Sequence, residues 1–90
     1  MNRTIITVVG KDTVGIIAKV CTYLSHENVN ILDISQTIVS ELFNTMMIVD
    51  TSRMAASFDT LASDLQAIGA EIGVQITCQR EDIFNKMHRI

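Results

Sequence analysis

The sequence predicts an α+β sandwich in which a four-stranded antiparallel sheet carries two helices on one face, in the order βαββαβ. Three observations predict it. Short β-branched or alternating runs, beginning near residues 3, 29, 45 and 74, are interleaved with two longer runs of helical periodicity. The two central strands follow one another with only a short polar connection, as a hairpin does. Ninety residues without a proline, and with four glycines, leave no room for a linker or a second domain. The chain is expected to be one domain, with a core over about 3–80 and a tail over 81–90.

The first strand spans 3–9, where Ile5, Ile6, Thr7, Val8 and Val9 have strand composition. Val14, Ile17, Ala18, Cys21 and Leu24 then recur at helical spacing, predicting a helix over 14–27 with Asp12 or Thr13 as its N-cap and Asn28 as its stop. Between them lies the elbow Gly10-Lys11-Asp12-Thr13-Val14-Gly15-Ile16. The second strand covers 29–39, with Leu32, Ile34 and Ile38 on a buried face and Asp33, Ser35 and Thr37 opposite. A connection over 40–44, lacking an Asn-Gly pair, returns the chain into a third strand over 45–50.

Phe58, Leu61, Ala62, Leu65, Ile68 and Ile72 form the stripe of a second helix, with Gly69 as an interior packing glycine and Gly73 as its C′ residue. The fourth strand, 74–80, points Val74, Ile76 and Cys78 one way and Gln75, Thr77 and Gln79 the other. The tail spaces Ile83, Met87 and Ile90 at helical intervals, predicting a short docked helix. Right-handed crossovers put both helices on one face. The other face gathers Ile5, Val9, Ile31 and Val39 among threonines and glutamines, and such a patch predicts a subunit interface, at least a homodimer.

Composition excludes several functions. A net charge of −3 with scattered basic residues does not suit a nucleic-acid surface, and no apolar run reaches membrane-spanning length. Cys21 and Cys78 form no C-x-x-C pair and read as buried free thiols, so a cytoplasmic location is expected. His26 and His88 lack local partners, no nucleophile or zinc motif occurs, and neither catalysis, a metal nor a cofactor is expected. Gly10 and Gly15 have the spacing of a phosphate-binding loop, but Ile16 and Ile17 stand where Lys and Ser/Thr are required.

The elbow keeps a different chemistry open. At a helix N-terminus unpaired amides and the dipole favour an anion. Backbone N–H groups of Val14, Gly15 and Ile16 would take a carboxylate, and Asp12 or the amide oxygen of Asn30 would accept an ammonium. Alternatively Asp12 only caps the helix, Asn30 only bonds a strand end, and the glycines serve packing.

The elbow, together with Asn30-Ile31-Leu32-Asp33-Ile34 at the start of the second strand and the βαββαβ order, resembles the ACT domain. More narrowly the chain looks like small stand-alone bacterial ACT proteins related to glycine cleavage system repressor-like regulators and to the N-terminal part of formyltetrahydrofolate deformylase. The resemblance implies a ferredoxin-like fold and a non-catalytic regulatory role. It also implies ligands bound between subunits at the elbow and the start of the second strand, through Gly10, Asp12, Gly15, Ile16 and Asn30, to which the helix-start chemistry adds the Val14 amide. The implied ligand is an amino acid and the implied partner a regulated protein; a ligand-free interaction or oligomerisation module is the alternative. Serine-binding members carry histidine where Gly10 sits and asparagine where Asp12 sits, so the ligand's identity does not carry over.

Overall fold

A computed structural model describes residues 2–11 and 14–81. The order is β1 (Arg3–Gly10), α1 (Val14–His26), β2 (Asn30–Val39), β3 (Leu42–Asp50), α2 (Phe58–Ile72) and β4 (Gln75–Arg80). The four strands form one antiparallel sheet in the order β2-β3-β1-β4. This is the predicted βαββαβ sandwich. The tail helix expected beyond Glu81 and the N-cap expected at Asp12 or Thr13 lie outside the described residues.

The core lies between sheet and helices. Ile6 and Val8 of β1, Met47 and Val49 of β3 and Ile76 of β4 meet Ile16, Val20 and Leu24 of α1 and Leu61 and Leu65 of α2. On α1 the buried line runs through 16, 20 and 24, leaving Ala18 exposed and Ile17 and Cys21 half-buried. The stripe expected from Val14, Ile17, Ala18 and Cys21 is thus rotated. Apolar residues occupy most of the first two turns, so spacing alone does not choose the face.

α2 ends as anticipated. Gly73 takes a left-handed φ of 87° and its N–H bonds the Gly69 carbonyl oxygen, closing the helix. A Cβ on Gly69 would stand 2.7 Å from the Val74 carbonyl oxygen, so this glycine lets β4 turn back tightly against α2. At the other end the Ser57 hydroxyl accepts from the Thr60 N–H and caps the first turn. Between the helices, the Tyr23 hydroxyl donates to Asp64 at 2.6 Å. Partial burial, with that bond, raises the Tyr23 pKa.

Three expectations about β2 and its neighbours are corrected. Leu32, Ile34 and Ile38 are exposed rather than buried, because β2 is an edge strand and the helices reach only its start. A bulge lies between Ile31 and Asp33, so Ile31 pairs with Val49 and packs on the helix side, not on the open face. The open face is also less apolar than expected: Ile5 is buried and Val9 half-buried, leaving Val39 exposed there. The hairpin is tighter than predicted. Val39 pairs with Leu42, so only Ser40 and Glu41 turn, at φ 50° and 69°. Positive φ at both positions is the requirement of a type I′ turn, met here without glycine.

Candidate functional site

The elbow sits where β1 hands over to α1. Gly10 is the last residue of β1 and is buried; Lys11 is exposed; Gly15 is exposed in the first turn of α1; Ile16, next to it, anchors that turn in the core at 1% exposure. The glycines serve different ends. A Cβ on Gly10 would stand 2.4 Å from Val74 Cγ1, so Gly10 is a packing glycine that lets the α2–β4 connection close over the end of β1. A Cβ on Gly15 would meet nothing within 4 Å, so no packing demand explains it. Its absence leaves the backbone of the first turn open.

An open groove of about 760 Å³ runs along this end of the molecule, walled by Val9, Gly10, Gly15 and Ile16 and, from other elements, by Leu42, Ile72, Gly73, Val74 and Gln75. Those last five were not anticipated. The signal existed in the topology, since in a βαββαβ sheet the hairpin turn and the α2–β4 connection fall at the same end as the elbow. The charge balance suits an anion: α1 has no acidic residue in its first turn, whereas α2 has Asp59. Lys11 has no ion-pair partner among the described residues. Asp12 lies outside the described residues, and of Val14 only the backbone, at the start of α1, is described.

Asn30 is elsewhere. It pairs with Asp50, which in turn pairs with Arg3 at the start of β1, while Gly10 pairs with Phe43 at the far end. Seven residue steps of strand put about 23 Å between the two ends. Within one chain, therefore, Asn30 and the elbow do not converge. Asn30 instead lines a second open cavity of about 940 Å³ with Ser25, Asn28, Asp50 and Arg53. There Asp50 accepts from the Ser52 hydroxyl at 2.6 Å and the Ser52 N–H at 3.0 Å, and these bonds lower its pKa.

No three His, Cys, Asp or Glu side chains converge among the described residues. His26 is exposed beside Glu27 at 3.9 Å, while His88 lies outside the described residues. Cys21 and Cys78 are free and half-buried. No helix among the described residues is long and apolar enough to cross a membrane.

Residues 2–79 match the family model of the ACT domain. The chain belongs to the ACT domain family. A UPF0237 protein of Bifidobacterium longum is 62% identical over all of both chains, and one of Methanocaldococcus jannaschii 48% identical over the same extent. Among solved structures, an ACT domain protein from Streptococcus pneumoniae superposes with a TM-score of 0.80 at 38% identity, covering 92% of this chain and 93% of that one. A proposed glycine cleavage system transcriptional repressor superposes with a TM-score of 0.75 over 88% of this ACT domain and 46% of its own chain; at 14% identity it speaks for the fold alone. ACT domains are generally regulatory ligand-binding modules, and the ACT fold here leaves its first helix turn open beside a groove.

Proposed function

We propose that this ACT domain is a non-catalytic regulatory module that senses a free amino acid at the elbow, completed by a second subunit, and passes the signal to a partner protein. The observation that carries this is Gly15: exposed, unfilled, and on a helix turn with no acidic residue of its own. Amides of Val14, Gly15 and Ile16 would receive the carboxylate, and Asp12 or Asn30 the ammonium. Gly10 shapes the groove by letting Val74 close in. Because Asn30 lies at the opposite end of its own sheet, the Asn30 that serves an elbow belongs to another copy. A ligand held between copies stabilises their assembly, and that linkage is how it would bias contact with a partner.

Calorimetric titration and thermal melting with the twenty amino acids, glycine and serine first, test this. A ligand at ten times its Kd stabilises by about 1.4 kcal/mol, which moves the melting midpoint of a domain this size by roughly 5–10 °C. Asp12→Ala combined with Asn30→Ala removes the response and leaves the protein folded. No heat and no shift at millimolar concentration with any amino acid refutes sensing. The ligand-free interaction module would then stand, favoured by the exposed apolar side chains of β2 and its hairpin.

A further inference from the structure

Three open cavities on the described surface differ in their lining. The one beside Asn30 includes Asp50 and Arg53, and one at the start of β1 includes Arg3 and Arg80. The elbow groove is different. Its wall carries one charged residue, Lys11, and no carboxylate among the described residues, and most of its side chains are aliphatic.

This groove also collects apolar surface that the fold leaves wet. Large apolar side chains exposed among the described residues are Leu32, Ile34, Ile38 and Val39 along β2, together with Leu42 at 39% and Ile72 at 43% exposure. The β2 group lines none of the three cavities, whereas Leu42 and Ile72 both line the elbow groove. Leu42 opens β3 just past the hairpin, and Ile72 is the last residue of α2. Only the sheet brings them together: β1 ends between β3 and β4, with Gly10 paired to Phe43 and Val9 to Gln75. Val74 completes the wall. The missing Cβ of Gly10 lets it approach the end of β1, and the left-handed Gly73 turns the chain into place.

We propose that Leu42, Ile72 and Val74 form the side-chain half of the ligand site and select an amino acid of the leucine, isoleucine, valine or methionine kind. The inference rests on the sensing reading for the head group, whose carboxylate takes the first-turn amides, and adds to it the choice among amino acids. An aliphatic side chain laid along this wall removes its own surface and that of Leu42 and Ile72 from water. Glycine offers nothing to cover them. A basic side chain would meet Lys11 and no carboxylate among the described residues. An acidic one would gain only Lys11, an exposed charge whose attraction salt screens, and would leave Leu42 and Ile72 wet. The groove's 760 Å³ lies within the range of small-molecule pockets and accommodates the longest of the four.

A fully buried methylene is worth about fourfold in affinity. Leucine has three more carbons than alanine, and an open groove covers about half of their surface, so roughly tenfold separates the two. Calorimetric titration of wild type ranks leucine, isoleucine, valine and methionine against alanine, glycine, serine, glutamate and lysine. Leucine is expected to bind about tenfold more tightly than alanine, and the four aliphatic ligands to lead the series. Leu42→Ser combined with Ile72→Ser, both at exposed positions, is expected to bring leucine to within about twofold of alanine. Alanine's own Kd should hold, a split that a general structural loss does not produce. Strongest binding by glycine, serine or a charged amino acid, or a double variant that keeps the preference for leucine, overturns the selection and leaves sensing intact. Should the double variant fail to fold, the wild-type ranking decides. Silence toward every amino acid refutes sensing, and the selection with it.

Discussion

Replacing Gly10 and Gly15 by alanine, one at a time, should move stability in opposite directions. At Gly10 the new methyl would lie 2.4 Å from Val74 Cγ1 and 3.0 Å from Val74 Cβ, both far inside van der Waals contact. Val74 is half-buried and can yield only by shifting the connection that Gly69 and Gly73 hold tight. Overpacking of this kind costs about 1–3 kcal/mol, and each kcal/mol lowers the midpoint of a domain this size by roughly 4–8 °C. Gly15→Ala meets nothing within 4 Å. It should gain about 0.5 kcal/mol from helix propensity and a less free unfolded chain. On the sensing proposal the added methyl crowds a carboxylate approaching the first-turn amides, so Gly15→Ala should melt higher yet lose its amino-acid response. Thermal melts with and without ligand, read by circular dichroism, separate the two effects. Val74→Ala added to Gly10→Ala should restore much of the loss, because the two sites share one contact. A Gly15→Ala protein that is less stable, or that responds to an amino acid as wild type does, refutes the assignment of Gly15 to access rather than packing.

The hairpin offers a second test: Ser40→Asn with Glu41→Gly gives a two-residue turn the side chains that favour positive φ, and thermal melts should show a gain of about 1 kcal/mol. The Thr45 hydroxyl is buried without a hydrogen-bond partner among the described residues, so Thr45→Val should raise stability by about 1 kcal/mol in urea titration. Burial pushes the Cys78 thiol from 9.0 up to about 11, so it stays protonated through neutral pH. Alkylation at pH 8.5 should therefore be much slower in the native protein than in urea. Because the folded pKa is the higher one, this contribution to stability is fully present below the unfolded value and fades as pH climbs through about 11.

The fold was legible because its local signals agree. Gly73 closes α2, Gly69 packs beneath the turn and Asn28 takes a positive φ of 61° just past α1, each for a reason its residue type announces. Where the signals conflicted, the sequence was ambiguous. α1 has apolar residues around most of its first turns, so its buried face was settled by the sheet beneath rather than by spacing. In β2, the alternation continues without a break through Leu32, and nothing in Asn30-Ile31-Leu32-Asp33 signals a bulge; it needs no glycine and shows only in the pairing with β3. The elbow was legible as a helix start. Which of its glycines answers to Val74, some sixty residues away in the chain, was not, since that contact exists only once the sheet has formed.

The irregularity at Leu32 also partitions β2 into two tasks. Upstream of it, Val29 and Ile31 help to seal the interior; downstream, Ile34 and Ile38 keep the same orientation but have no helix above them. A deletion of Leu32 would remove the extra residue and leave Ile31, Asp33 and Ile34 in unbroken alternation, with Ile31 and the downstream isoleucines still on the helix side. Loss of this one residue should therefore be tolerated, whereas loss of a single residue within 33–39 would turn the side chains on one side of the cut to the opposite surface.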